Sequence, residues 1–258
     1  MSKNFNLPRI FISAALTQNN IFTLDETQTH YLKNVLRKKT GDQIRVFNGK
    51  DGEWLATLET ISKRNIALKA EKLLRPQPPA KTGLTLCFAP LKNNNLHYVL
   101  QKSTELGISA FQPLQTQRTI INKLNEERMM ANIIEAAEQC ERLDLPTLYP
   151  LKTLTQFLQQ LPADSLLLFA DETGNGEPLK NCPHNIFSDS PAQLLIGPEG
   201  GFSDAERQQI LLRQKHFAFG LGPRILRAET AAIAAIAYLQ IQLGDCNQPP
   251  RFMTIPDF

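Results

Sequence analysis

The 258-residue chain contains neither G-x-G-x-x-G nor G-x-x-x-x-G-K-[ST]. The common glycine-rich fingerprints of dinucleotide-binding and phosphate-loop enzymes are therefore missing. Its four cysteines, Cys87, Cys140, Cys182 and Cys246, stand far apart with no C-x-x-C among them. That usage suits reduced thiols rather than a disulfide framework. His30, His97, His184 and His216 lack helical ligand spacing, so no metal site is expected. No apolar run approaches the roughly 20 residues that span a bilayer, and the N-terminus carries no apolar signal core, which makes the cytoplasm the default expectation. There is no internal repeat and no low-complexity tract.

What is present describes an ordinary globular protein, with 42% apolar and 21% charged residues, long enough for one large or two modest domains. The charge is uneven. Residues 1–80 hold 13 Lys and Arg against 7 Asp and Glu, whereas residues 81–258 hold 15 against 18. A basic first part beside a mildly acidic remainder points to a polyanion as partner of the first part. A solvated lysine-rich surface has the same composition.

Residues 1–74 read mainly as β. Short strands with partial alternation are expected over 43–47, 53–60 and 66–73, the first two joined by the turn Asn48-Gly49-Lys50-Asp51-Gly52. A short helix over 30–39 would set Leu32, Val35 and Leu36 opposite a cluster of Lys and Arg. Strands plus one small helix make a compact barrel. Residues 75–83 hold Pro76, Pro78 and Pro79 and read as a stiff extended linker.

From residue 84 onward strands and helices alternate. Strands are expected over 84–89, 111–114, 148–149 and 166–170, and helices over 96–106, 126–142 and 155–161. That order implies βαβ units and a largely parallel sheet.

The last quarter is the most informative stretch. The run Leu194-Leu195-Ile196 breaks at Gly197, and the run from Phe217 to Leu221 breaks at Gly222; each glycine precedes a proline. Such runs suit strands buried on both faces that end in tight loops. The carboxyl edge of a parallel sheet is where open α/β folds bind ligands. Gly200 and Gly201 leave bare backbone, and Ser203 to Glu206 form a capping box that starts a helix directly after them. From Thr230 to Leu239 no residue is charged, and five alanines surround Ile233, Ile236, Tyr238 and Leu239. A helix of that composition is expected to be buried all round.

With GPEGGFS followed by LGPRILRAETA, the chain resembles the ribosomal RNA small subunit methyltransferase E family, uridine-N3-specific enzymes of the SPOUT superfamily. Gln101 to Gly107, Gln117-Arg118-Thr119, Glu135 to Arg142 and the opening Pro8-Arg9-Ile10-Phe11 match further family blocks, so the likeness covers nearly the whole chain. Glu141 departs from it, standing where many relatives carry a small residue. The resemblance implies a PUA-like RNA-binding barrel over 1–74, the linker over 75–83 and a SPOUT domain over 84–258. In that domain the C-terminal helix threads a loop to make a trefoil knot, a rare exception to unknotted folds. It also implies a homodimer formed through the knotted domain.

The implied cofactor is S-adenosyl-L-methionine, and the implied substrate is ribosomal RNA of the small ribosomal subunit. The cofactor pocket would be lined by three loops. The first contributes Phe169, Ala170 and Glu172; the second Leu195, Ile196, Gly197, Pro198, Glu199, Gly200 and Gly201. The third contributes Leu221, Gly222, Ile225, Leu226, Arg227 and Thr230. Uridine N3 must shed a weakly acidic proton, so a cation to steady the uracil anion and a carboxylate to take the proton are sought near these loops. Arg118, Arg227 and Glu229 are the catalytic candidates, with Glu199, Arg224 and Arg142 nearby in the pattern; the choice of base stays open. The same residues also suit salt bridges between loops. Arg9, Arg37, Lys38, Lys39 and Arg142 are the expected RNA contacts. Ribose 2′-O-methylation, a non-catalytic RNA-binding protein and a metabolic nucleotide-binding enzyme are the competing readings.

Overall fold

A computed structural model describes residues 6–62, 65–79, 83–121, 123–183 and 192–248. Residues 80–82 of the expected linker and His184 lie outside them. The chain divides into two compact units, Met1–Ala80 with Ala137–Leu145, and Lys81–Ala136 with Pro146–Phe258.

The first unit is built on β1 (Arg9–Phe11), β2 (Ile21–Thr23), α1 (Glu26–His30), β3 (Gln43–Phe47), β4 (Glu53–Ile61) and β5 (Ile66–Arg75). Its five-stranded sheet has the order β1-β3-β4-β5-β2, with β1 parallel to β3 and the other pairs antiparallel. The compact barrel expected from sequence takes the form of this one sheet, with no rung between β1 and β2 among the described residues. Three register shifts between β4 and β5 curl the sheet, because each extra residue sharpens the local twist. Ile44, Val46, Leu58, Ile66 and Leu68 fill the curl.

The expected helix over 30–39 is displaced. It starts at Glu26, where the Asp25 side chain accepts from the Gln28 amide, and continues as a π-helical turn over Tyr31–Val35. Arg37 then adopts φ 53°, the left-handed conformation that ends helices. The basic cluster Arg37-Lys38-Lys39 therefore sits in the loop beyond the helix.

Burial corrects the expected role of Arg9. It is only 8% exposed, and its Nε donates to Glu53 Oε1 at 2.6 Å while its guanidinium lies 3.6 Å from the Phe47 ring centroid. Its remaining nitrogens donate to the carbonyls of Ala137 at 2.8 Å and Arg142 at 2.6 Å. Arg9 thus fastens residues 137–145 to the sheet and is not free to meet a phosphate. Arg75, at the end of β5 rather than in a linker, donates to Glu53 Oε2 at 2.9 Å and to the Glu141 carbonyl at 2.9 Å. Glu141 has φ 62°, in the left-handed region that favours glycine, and its carboxylate meets Arg45 at 2.8 Å. Burial pushes the Glu53 carboxyl up, but Arg75 and Arg9 outweigh it and hold the group below the ordinary carboxylate value.

The second unit alternates strands and helices: β6 (Leu84–Phe88), α2 (Asn93–Glu105), β7 (Ala110–Gln115), α3 (Glu126–Cys140), β8 (Thr147–Leu148), β9 (Lys152–Thr153) and α4 (Leu154–Gln160). The last turn of α3 belongs to the first unit. There follow β10 (Leu167–Ala170), β11 (Glu177–Pro178), β12 (Ala192–Ile196), α5 (Asp204–Leu211), β13 (His216–Gly220) and α6 (Ala228–Leu243). The strands run β11-β13-β10-β12-β6-β7-β8 across an all-parallel sheet, with β9 beside β7.

Both faces of this sheet are covered, so its central strands are mostly apolar, with Thr85, Gln112 and Gln193 the buried polar exceptions. Leu86, Phe111, Leu168, Leu194 and Phe219 pack with α2, α3 and α6, while Cys87, Leu114, Leu167, Phe169 and Leu195 pack with α4 and α5. In α6, Ala232, Ala235, Ile236 and Leu239 are buried. The expectation of burial all round does not hold: Thr230 and Ala234 are exposed and Ile241 is 56% exposed. Helix α6 therefore keeps one apolar face uncovered. Among the described residues no helix is long and apolar enough to cross a membrane.

Candidate active site

Strands β13, β10 and β12 are neighbours in the sheet, so their three carboxyl-terminal loops lie side by side. The first loop follows Ala170, the second follows Ile196 and the third follows Gly220. Phe169, Leu195 and Ile196 are buried strand residues, which leaves only their backbone to offer at the edge. Pro198 is buried as well, while Glu172, Glu199, Gly200 and Gly222 are exposed.

Polar ties hold the loops in register. Glu172 Oε1 accepts from the Phe202 amide at 2.9 Å, joining the first loop to the second. Gly201 has φ 68°, a left-handed conformation that glycine adopts without strain, and a Cβ there would stand 2.5 Å from that same Glu172 oxygen. Asp171, 5% exposed, accepts from Arg207 at 2.6 Å and from Thr173 Oγ1 at 2.8 Å. Burial pushes its carboxyl up, yet the Arg207 and Thr173 hydrogen bonds outweigh this and hold it below the ordinary carboxylate value. Neither Asp171 nor Arg207 stands out in the sequence, because their pairing spans 36 positions.

The second loop leads into α5 through a capping box in which Ser203 Oγ accepts from the Glu206 amide and Glu206 Oε2 accepts from the Ser203 amide at 3.0 Å. Glu206 has a second duty that sequence spacing does not reveal. Its Oε1 accepts from the Gln117 amide at 2.7 Å. The neighbouring Arg118 donates from Nη1 to the Gly200 carbonyl at 2.8 Å. The loop after β7 is thereby brought to the glycine loop.

The third loop is more open. Gly222 has φ 93°, and nothing stands within 4 Å of where its Cβ would be. Ile225 is fully exposed, Leu221 and Leu226 are half-buried, and Arg224, Arg227 and Thr230 face solvent. Glu229, in the first turn of α6, is 9% exposed and its Oε2 has no hydrogen-bond partner among the described residues. A buried carboxylate oxygen left in this state favours a positively charged or proton-donating neighbour.

Among the other predicted residues, Arg142 belongs to the first unit and pairs with Asp144 at 2.7 Å, whereas Arg118, Arg227 and Glu229 belong to the second. Arg37 and Lys39 are exposed and Lys38 is half-buried, and none of the three carries an ion pair among the described residues.

Known proteins share this architecture. A model of the RNA methyltransferase domain matches residues 78–240, and a model of the RNA methyltransferase PUA domain matches residues 24–71. The chain is 35% identical over 241 residues to ribosomal RNA small subunit methyltransferase E of Rickettsia conorii, covering 93% of this chain and 98% of that protein. It is 34% identical to the protein of the same name from Synechocystis, covering 86% of this chain and 73% of that one. Among solved structures, a Legionella pneumophila methyltransferase in complex with bound SAM superposes with a TM-score of 0.81 at 29% identity, covering 92% of this chain and 98% of that chain. The Neisseria gonorrhoeae ribosomal RNA small subunit methyltransferase E bound to S-adenosyl methionine superposes with a TM-score of 0.80 at 28% identity, covering 93% and 99%.

Proposed function

Because the chain belongs to the ribosomal RNA small subunit methyltransferase E family and so is an S-adenosylmethionine-dependent RNA methyltransferase, we propose that its acceptor is N3 of a uridine in small-subunit ribosomal RNA. The observation that supports this most is the meeting of three loops from adjacent strand ends with Arg118 held against the second of them.

The residues present suit the cofactor. The open space above Gly222 admits a flat group against backbone, and the unpartnered Glu229 oxygen suits a cationic one. S-adenosylmethionine, when bound, supplies a methyl activated by its sulfonium. The protein's own share is to fix geometry, since collinear placement of donor and acceptor is the main gain in such a transfer. Backbone of the three loops does the holding, without a charged side chain having to leave water. Arg118 is our candidate for steadying the uracil anion, because a fixed cation at a developing negative charge needs no reorganisation during reaction. Arg227 and Glu229 flank the start of α6 and are the remaining candidates for contact with the reacting groups.

N3 lies on the Watson–Crick edge, so the uridine must be unpaired or turned out of its stack before transfer. The first unit, with the surplus of Lys and Arg, is our choice for gripping the phosphate backbone. The uncovered apolar face of α6 supports a homodimer through the second unit, and the absence of a membrane-length helix among the described residues is compatible with the cytoplasm. We extend the reading to a trefoil knot around α6. In support, β13 lies on the far side of β10 from β12, so residues 197–215 pass over β10 on the face that α5 covers.

The experiment is transfer of a labelled methyl from S-adenosylmethionine to isolated small-subunit and large-subunit RNA and to the assembled subunits. Label confined to the small-subunit material is expected; label in free nucleotides or in no RNA would overturn the reading.

A further inference from the structure

One carboxylate touches both sides of the candidate site. Glu206 Oε2 closes the capping box on the Ser203 amide at 3.0 Å, while Oε1 accepts from the Gln117 amide at 2.7 Å. A capping box needs only one of the two oxygens. The second is spent on a segment 89 positions away in sequence, one residue before Arg118. Arg118 itself reaches the Gly200 carbonyl at 2.8 Å, on the loop whose end Ser203 and Glu206 cap. The segment also fixes itself locally, with Thr119 Oγ1 accepting from the Thr116 amide at 3.0 Å.

We infer that Glu206 is a positioning residue: its carboxylate sets the backbone of the Gln117-Arg118 segment against the glycine loop and so aims Arg118 at the substrate. This rests on the proposed role of Arg118 in methyl transfer. The chemistry favours the assignment because an ionised acceptor makes a hydrogen bond roughly twice as strong as a neutral one. The same oxygen also pins a backbone atom, which leaves the guanidinium free to keep or release Gly200 while its Cα stays in place. A displacement of about 1 Å of a group facing the reacting atoms can cost on the order of a hundredfold in rate. The capping box alone would be satisfied by Ser203 with any Glu or Gln at that position, so the tie to Gln117 is the separable part.

The test compares Glu206→Ala, Glu206→Gln and Ser203→Ala in the full-length protein. Three measurements are made: hydrogen exchange of the Gln117 amide, calorimetric binding of S-adenosylhomocysteine, and the single-turnover rate with saturating RNA. Glu206→Ala is expected to speed Gln117 exchange and lower the turnover rate about tenfold. Its S-adenosylhomocysteine affinity should match that of Ser203→Ala. Glu206→Gln keeps one acceptor oxygen where two are used, so it can serve the Ser203 amide or the Gln117 amide but not both, and its rate is expected to fall in step with any faster Gln117 exchange. In the Arg118→Ala background, Glu206→Ala should cost almost nothing further, since the two act as one unit. Equal losses in Glu206→Ala and Ser203→Ala would reduce Glu206 to a helix cap, and additive losses with Arg118→Ala would do the same. A wild-type rate for Arg118→Ala would instead remove the proposed role of Arg118, and with it any positioning role, while Gln117 exchange still reports whether the tie exists.

Discussion

Arg118 and Gly200 are joined across 82 positions by a 2.8 Å hydrogen bond from the guanidinium to the glycine carbonyl. A Cβ at Gly200 would stand 3.4 Å from Arg118 Cβ, at ordinary van der Waals distance. The contact makes Arg118 part of the loop edge rather than a free surface cation. Arg118→Ala is therefore expected to lower single-turnover methylation by about a hundredfold, the scale of losing one preorganised charge at a transition state. RNA affinity should change by less than threefold in the same variant. Equal losses in both would mean that Arg118 only holds RNA.

Gly222 carries the prediction about the cofactor. Its φ of 93° and the open space above it leave room that a side chain would take. Gly222→Val is expected to abolish calorimetric binding of S-adenosylhomocysteine while the far-ultraviolet spectrum stays that of a folded chain. The strain of a β-branched residue at positive φ should cost about 1–3 kcal/mol of stability. Wild-type affinity in the variant would place the cofactor elsewhere.

Acid sensitivity follows from Glu53 and Asp171. Each carboxyl is held below its ordinary value in the folded protein, Glu53 by Arg75 and Arg9 and Asp171 by Arg207 and Thr173, in both cases against the opposing push of burial. Their stabilisation is complete above the unfolded values near about pH 4 and is lost as pH falls through the lower folded values. Glu53→Gln leaves buried arginine charge without its counterion and is expected to cost about 3–5 kcal/mol at pH 7. Urea denaturation of this variant and of Asp171→Asn should show a gap from wild type that narrows below about pH 4. A gap independent of pH would show that these carboxylates are not the source.

Arg37, Lys38 and Lys39 lie in a loop of the first unit with no ion pair among the described residues. Replacing all three by Glu should weaken ribosomal RNA binding and flatten its dependence on salt, by about 0.7 in the log-log slope for each phosphate no longer neutralised. S-adenosylhomocysteine affinity should not change. Binding with the wild-type slope would make the cluster an ordinary solvated loop.

Much of the second unit is legible in the sequence because its signals are local. Apolar runs that stop at Gly197 and Gly222, the Ser203–Glu206 cap and each strand or helix of the alternation are read from residues that are neighbours in sequence. The first unit is harder to read. Strands β1 and β2 have three residues each, too few for a periodicity. Arg9 looks like a surface cation until Glu53 and the carbonyls of residues 137–142 surround it, partners 44 and more positions away. Helix α6 misleads for another reason: Ala234 in contact with solvent and Ala235 in the core are the same residue type, so composition cannot tell a helix buried on one side from one buried on all. Within the candidate site, the capping role of Glu206 is visible from spacing, whereas its bond to Gln117 depends on where β7 ends relative to β12, which only the sheet order sets.

Nucleoside mass spectrometry of small-subunit ribosomal RNA reads out the acceptor atom itself. RNA from a strain lacking this protein should contain less N3-methyluridine than RNA from the parent. The purified protein with S-adenosylmethionine should restore it, and Arg118→Ala should not. Unchanged N3-methyluridine, or a loss of a ribose 2′-O-methylated nucleoside in its place, would rule out uridine N3 as the acceptor.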